Sequence, residues 1–146
     1  MTALRIEPPH GDAMLGDWLH VHNTIIPTDP LTLDDVRERV RRHRLAVAYR
    51  GDTVVGCTTV RPPVDGSSTA VVIARVLPEH RGQGLGAELY ARGLALARAL
   101  GAEVVETVVL ASNEDGLRFA LRHGFVEFER YVLPGDTIPF VELRMR

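Results

Sequence analysis

The spacing of apolar and polar residues predicts a strand and two helices in the first third of the chain. Residues 4–8 alternate weakly between apolar and polar side chains, which favours a short strand. Residues 11–25 carry apolar side chains at helical spacing, and Pro27 ends that helix. Thr32 is suited to cap a second helix that reaches about His43. The buried face of this second helix is expected to consist of Leu33, Val36 and Val40.

Strands and helices are predicted to alternate along the rest of the chain. Residues 45–50 and 54–61 flank a Gly-Asp turn, which predicts a hairpin. Residues 69–77 form a continuous β-branched run, which is typical of a strand buried on both faces. The elements expected after it are a helix over 85–100, a strand over 103–110, a helix that follows Asn113 and reaches His123, and strands over 125–133 and 138–144. This order predicts an α+β fold in a single domain over residues 1–146, with a central mixed, mostly antiparallel sheet of about six or seven strands and about four helices.

The composition excludes several classes of protein. With 45% hydrophobic and 25% charged residues in 146, the chain is neither disordered nor collagen-like nor a disulfide scaffold. The net charge of −2 gives no general attraction to nucleic acid or membrane. Cys57 is the single cysteine, and no segment resembles a membrane span or a secretory signal, so we expect a cytoplasmic protein without a metal site. All 17 basic residues are arginine, so no lysine is available as a nucleophile.

The segment that joins the β-branched run to the next helix has the features of an anion-binding loop. Gly82, Gly84 and Gly86 let the backbone turn tightly and approach a ligand closely. The amides at the start of the following helix, together with the helix dipole, favour a bound anion. Arg81 adds a positive charge with forked donors. These features together predict a pyrophosphate site.

Two alternatives stay open for this loop. One is a glycine-rich turn that binds nothing. The other is a dinucleotide-binding loop, because residues 82–87 fit the pattern G-x-G-x-x-A and Glu106 follows Gly86 by 20 residues. The second alternative is disfavoured because the segment follows an antiparallel hairpin, and too little chain remains beyond it for a doubly wound fold.

The loop and the segment near the C-terminus together resemble the GNAT family of N-acetyltransferases. Arg81-x-x-Gly84-x-Gly86 matches the family signature R/Q-x-x-G-x-G/A. Asn113 and residues 118–125 look like the family's N…A…[F/Y]Y-E-K-x-G-F segment, and the order of elements agrees over nearly the whole chain. The resemblance implies a GNAT-like fold and direct transfer of an acetyl group from acetyl-CoA, the cosubstrate, to an amine.

The resemblance also implies which residues hold acetyl-CoA. Residues 74–76 are expected to offer a free strand edge to the pantetheine arm, which enters a gap where this strand and residues 103–110 splay apart. The Val76 amide would polarise the thioester carbonyl. Asn113 either contacts the pantetheine or thiol end or only caps a helix, and both roles stay open. The implied cofactor-binding residues are Ala74, Val76, Arg81, Gly82, Gln83, Gly84, Gly86, Ala87 and Asn113.

The chain departs from the family pattern at the catalytic acid. Where the family often has a tyrosine that protonates the departing thiolate, this chain has Ala120. Either another group serves as the acid, water serves, or the thiolate leaves unassisted. Ser112 is the first substitute to consider, and Glu106 is a candidate for the base that deprotonates the amine. The weaker candidates are Tyr131 as the acid and Glu79, His20 and His22 as the base. A purely structural role is the alternative for each of them.

Two functions are consistent with the sequence. The first is an acetyl-CoA-dependent N-acetyltransferase that acts on a primary amine of a small molecule or peptide. The alternative is a domain that binds acyl-CoA without turnover, as a sensor or regulator, because the family's tyrosine is missing. The resemblance also leads us to expect a homodimer. Arg37, Arg41 and Arg44 of the second helix form either a solvated face or the rim of an acceptor cleft that favours an anionic substrate.

Overall fold

The computed structural model describes residues 3–145, and within them seven strands and four α-helices follow one another in the predicted order. The elements are β1 Leu4–Glu7, α1 Asp12–Ile25, α2 Leu33–Arg42, β2 Arg44–Arg50, β3 Thr53–Arg61, β4 Thr69–Val76, α3 Leu85–Ala99, β5 Val104–Leu110, α4 Glu114–Arg122, β6 Phe125–Tyr131 and β7 Phe140–Met145. The observed bounds differ from the predicted ones by at most two residues. None of the helices in this part of the chain is long and apolar enough to cross a membrane.

The strands form one mixed sheet, which confirms the predicted fold class. Their order is β1-β2-β3-β4-β5-β7-β6, and β4–β5 is the one parallel pair within residues 3–145. Helices α1 and α2 cover one face, where Trp18 and Val36 are fully buried against Cys57 and Ile73. Helices α3 and α4 cover the other face, where they enclose a second apolar cluster.

The start of α2 follows the predicted capping box. The Thr32 hydroxyl accepts a hydrogen bond from the Asp35 amide at 3.2 Å, and the Asp35 carboxylate accepts one from the Thr32 amide at 2.8 Å. The prediction that Val40 lies on the buried face is wrong, because its side chain is 40% exposed. Arg39, the residue before it, is partly buried instead. The helix is therefore rotated so that a charged side chain, and not an aliphatic one, turns towards the protein.

Strands β4 and β5 pair only at their beginnings and then separate. Residues 69–71 face residues 104–106, and no pairing is seen between the remainders of the two strands. On the outer sides, β3 stays paired with β4 as far as Val76, and β7 stays paired with β5 as far as Leu110. Both strands therefore remain regular while a gap opens between them, as the family resemblance implied.

Candidate functional site

A cleft of about 550 Å³ lies at the gap between β4 and β5. Its walls are the separated parts of the two strands, the loop before α3, the first turns of α4 and the end of α1. Of the predicted cofactor-binding residues, seven line the cleft. They are Ala74, Val76, Arg81, Gly82, Gly84, Gly86 and Asn113.

The edge of β4 offers unpaired backbone groups to this cleft. The Leu77 amide donates to the Val55 carbonyl at 2.9 Å, so Leu77 belongs to a hydrogen-bonded pair with β3. Because the direction of the backbone groups alternates along a strand, the amides of Ala74 and Val76 point away from β3 and into the gap. The Val76 carbonyl points the same way, since it accepts a hydrogen bond from Arg81 Nε at 3.1 Å.

The loop before α3 has a backbone that favours glycine. Gly82 and Gly84 have φ angles of 78° and 79°, in the left-handed region that residues with a Cβ avoid. Gly84 is the N-cap of α3, and no side chain caps the helix there. The first amides of α3 therefore face the cleft without an internal partner, and the positive end of the helix dipole adds to their attraction for an anion.

Arg81 fastens this loop to the neighbouring elements. Besides its bond to the Val76 carbonyl, its Nη1 atom lies 3.2 Å from Asp115 Oδ2 on α4. Asp115 also forms an ion pair with Arg118. Part of the Arg81 charge is therefore neutralised within the protein. The side chain also connects the loop to β4 and to α4.

The remaining predicted cofactor residues are placed differently. Gln83 is exposed, and its amide oxygen accepts a hydrogen bond from Arg50. Ala87 is exposed on α3, and neither residue lines the cleft. Asn113 lines the cleft and also caps α4, because its Oδ1 accepts a hydrogen bond from the Gly116 amide at 3.1 Å. No bond from Asn113 Nδ2 is seen in the described part of the chain, so this donor is free to meet a ligand.

The two predicted catalytic residues lie outside the lining of the cleft. Ser112 is exposed. Glu106 is held by Arg144, whose Nη2 lies 2.6 Å from Glu106 Oε2. Ala120 is completely buried in the core beneath α4. The catalytic roles of Ser112 and Glu106 stay predictions, and the geometry does not favour them.

The weaker candidates are no closer to the cleft. Tyr131, Glu79 and His20 are exposed and do not line it. His22 is buried, and its Nε2–H donates to the Asp29 carbonyl at 3.1 Å. Burial, with the charge of Arg75 in addition, lowers the pKa of His22 to about 4. The imidazole is therefore neutral at pH 7.

Sequence reasoning missed Tyr90, which lines the cleft from α3. Its hydroxyl lies 3.1 Å from Thr107 Oγ1 on β5, and its ring stacks on Phe119 with the centroids 5.2 Å apart. Burial raises the pKa of Tyr90, so the phenol keeps its proton at neutral pH. Tyr90 is the one tyrosine among the described residues that lines the cleft.

Sequence reasoning also missed Arg75, the single charged residue in the apolar run of β4. Its side chain is partly buried and lines the cleft. Arg75 lies opposite Cys57 of β3 in the sheet. Burial lowers the pKa of Arg75 and raises that of the Cys57 thiol to about 12. A charge within a strand otherwise made of β-branched and small residues is the signal that could have identified it.

Comparisons with known proteins agree with this geometry. The family model described as acetyltransferase (GNAT) family matches residues 13–125. A proposed phosphinothricin N-acetyltransferase is 22% identical, with 98% of each chain covered and a TM-score of 0.79. A proposed acetyltransferase from Salmonella typhimurium, solved with its cofactor acetyl-CoA, is 19% identical, with 99% of this chain and 94% of that chain covered and a TM-score of 0.77.

A third solved structure has the same fold. It is a ribosomal-protein-alanine N-acetyltransferase from Brucella melitensis, 21% identical, with 96% of this chain and 98% of that chain covered and a TM-score of 0.75. A search of curated protein sequences finds no significant match to the chain.

Proposed function

The chain belongs to the acetyltransferase (GNAT) family and is an N-acetyltransferase that uses acetyl-CoA, and we propose that its acceptor is a primary amine that enters the cleft from the side of α1. The observation that carries this proposal is the gap between β4 and β5, which runs from the uncapped start of α3 to Ile25 and Ile26 at the end of α1. One end of the cleft is suited to an anion, and the other is open to an acceptor.

The residues present fit acetyl-CoA. Gly82 and Gly84 have left-handed backbones and a Cβ on either would meet no atom within 4 Å, so the loop leaves room for a pyrophosphate. The amides of Ala74 and Val76 can pair with an extended amide-containing arm, as a neighbouring strand would. Acetyl-CoA supplies the activated thioester that the amine attacks. The Val76 amide points into the gap, where it would stabilise the negative charge that the carbonyl oxygen of a bound thioester gains during attack.

We propose Tyr90 as the group that assists departure of the thiolate. Tyr90 lines the cleft, and its buried hydroxyl lies beside Thr107 and remains protonated at neutral pH. A protonated phenol can donate a hydrogen bond to a developing thiolate. The position of the family's tyrosine is occupied by Ala120, whose buried side chain can donate none.

Tyr90→Phe is expected to lower kcat about 10- to 100-fold with little change in the affinity for acetyl-CoA, because a hydrogen bond to a charged group contributes about 1.5–3 kcal/mol. Tyr49→Phe is the matched control. It also removes a buried hydroxyl, one that donates to Asp17 at 2.7 Å, but Tyr49 lies outside the cleft. Equal values of kcat in the two variants would contradict the role of Tyr90.

Two measurements test the proposed function. Isothermal titration is expected to show binding of acetyl-CoA, and a panel of amines is expected to include acceptors that release its thiol, with the amide product identified by mass spectrometry. Acetylation of alcohols or thiols but of no amine would contradict the proposal. Membership of an enzyme family disfavours the alternative of a sensor that binds acyl-CoA without turnover.

A homodimer stays a prediction, and we propose strand β6 as its contact surface. This strand lies at the edge of the sheet and carries exposed apolar side chains, with Val126 at 39% and Phe128 at 41% exposure. An edge strand that exposes apolar side chains is suited to pair with a second copy. Light scattering is expected to give twice the mass of the chain, and Phe128→Glu to give the monomer mass. A monomer in the parent protein would contradict this prediction.

A further inference from the structure

Three partly buried arginines, Arg39, Arg61 and Arg75, lie on the sheet side that α1 and α2 cover. Arg75 lies opposite Cys57 in the register of β3 and β4, and Arg61 follows Cys57 by four residues along β3. Because side chains two residues apart share a face, Arg61 and Arg75 project on the same side as Cys57, which packs against α1. Arg39 is partly buried on α2, whose Val36 packs in the same apolar cluster as Cys57, and the charges of Arg61 and Arg39 both lower the pKa of Arg75.

None of these three arginines forms an ion pair in the described part of the chain, although seven other arginines do. The Nε atom of Arg61 is buried and has no hydrogen-bond partner among residues 3–145. The carboxylates of Asp29 and Asp35 raise the pKa of Arg39 and that of Glu142 raises the pKa of Arg61, but none of the three forms an ion pair with these arginines in the described residues. Burial of an unpaired guanidinium is unfavourable, so the cluster indicates an anion that the chain itself does not supply.

Arg75 is the member of the arginine cluster that lines the cleft, and Arg39 and Arg61 lie outside its lining. Arg75 lines the cleft between Ala74 and Val76, whose amides point into the gap. The cleft continues to Ile25 and Ile26 at the end of α1, on the side from which we propose that the amine enters. When the amine of an acceptor lies at the gap, the remainder of the acceptor molecule therefore lies near Arg75.

We infer that the acceptor is an amine that also carries an oxyanion, such as a carboxylate, and that Arg75, with Arg61 and Arg39 behind it, binds this anion. The inference rests on the proposed function, because it names the substrate class of the same site. Guanidinium groups match oxyanions with planar forks of donors. An amine without an anion would meet three positive charges that no carboxylate of the described residues pairs with, which disfavours its binding. The exposed arginines Arg37 and Arg41 are not part of this cluster, and Arg37 is paired with Asp12 and Asp34.

Thiol release from acetyl-CoA tests the inference with three sets of amines. These are the L-amino acids, 2-aminoethylphosphonate with its homologues, and the amides of the same amino acids. The first two sets distinguish a carboxylate from a phosphonate, and the third keeps the amine but removes the charge. The best acceptor is expected to be anionic, with kcat/KM about tenfold or more above that of its uncharged counterpart.

Arg39→Gln is expected to raise KM for the anionic acceptor about tenfold, with little change for the amide or in the affinity for acetyl-CoA. Arg41→Gln is the matched control, because Arg41 is exposed on the same helix and lies outside the cluster. Equal KM values in the two variants would overturn the inference.

Arg75→Met gives a readout that distinguishes a ligand-binding role from a structural one. Replacing a partly buried, unpaired charge by an apolar side chain of similar length is expected to raise Tm by roughly 2–4 °C while it lowers activity towards the anionic acceptor. A lower Tm, or failure to fold, would mean that Arg75 serves the fold and would count against the inference.

The inference and the proposed function fail in different ways. Absence of acetyl-CoA binding, or of thiol release with every amine, would overturn the proposed function. Acetyl-CoA binding with thiol release that favours amides over acids, unchanged in Arg39→Gln, would overturn the inference alone.

Discussion

Gly86→Val is expected to weaken the binding of CoA by about 2–4 kcal/mol, because several hydrogen bonds to charged oxygens are disturbed together. A Cβ on Gly86 would lie 3.1 Å from two atoms of the Phe119 ring, which is tighter than ordinary contact. The two further methyl groups of valine must displace that ring or rotate the first turn of α3. Either movement shifts the amides that face the cleft. Isothermal titration with CoA measures the loss, and circular dichroism shows whether the variant is folded.

Two substitutions control for effects that do not involve the loop. Gly86→Ala adds only the Cβ, and the Phe119 ring needs to yield by a few tenths of an ångström, so the loss of CoA affinity is expected to be well below that of valine. Gly16→Val places the same side chain inside helix α1, where a Cβ would meet no atom within 4 Å, and CoA affinity is expected to be unchanged. A folded Gly86→Val protein that binds CoA as tightly as the parent would contradict the proposed role of the loop.

The elements and the loop could be predicted because their signals are local. The continuous run of β4 and the capping box at Thr32 each lie within a few consecutive residues, and both appear in the structure at the expected place. The glycines before α3 are needed where the backbone turns, so their chemistry is also local. The gap between β4 and β5 has no such signal. Only the resemblance to a family implied it.

Residues that act across the sheet could not be predicted from spacing. Glu106 was a candidate base, but Arg144 of β7 engages its carboxylate. Strand β7 inserts between β5 and β6, and the order of elements along the chain does not reveal this insertion. Periodicity also misplaced Val40. A helical repeat shows which residues share a face, but it does not show which of two adjacent residues at the edge of that face is the buried one. Arg39 was therefore missed, and with it the arginine cluster.

Tyr90 and Arg75 were missed for a related reason. Each lies in an apolar stretch that correctly predicts burial, and a buried tyrosine or a single buried arginine is consistent with a core position. What makes them candidates for function is the gap beside them, which only the separation of β4 and β5 creates. Hydrophobic patterning thus locates the core, but it does not show where the core opens.

The wall of that gap depends on a glycine in the adjacent strand. Gly56 of β3 lies opposite Val76, and a Cβ on it would be 2.5 Å from the backbone oxygen of Arg75 and 3.1 Å from Leu89 Cδ1 on α3. Backbone atoms at this distance cannot be avoided by a change of side-chain rotamer. Strand β4 therefore has to move as a unit if Gly56 acquires a side chain.

Gly56→Ala is expected to lower the free energy of unfolding by about 2–3 kcal/mol and Tm by roughly 5–10 °C, because overpacking at a buried backbone contact is not relieved locally. Acetyl-CoA affinity is expected to fall as well, since the shift moves the amides of Ala74 and Val76 that face the gap. Gly16→Ala is the matched control, and its expected effect on the free energy of unfolding has the opposite sign. It fills open space inside a helix, so we expect it to raise stability by about 0.5–1 kcal/mol. Thermal melting with and without acetyl-CoA measures both effects. A Gly56→Ala protein with the Tm and the acetyl-CoA affinity of the parent would show that β3 does not hold the wall of the gap in place.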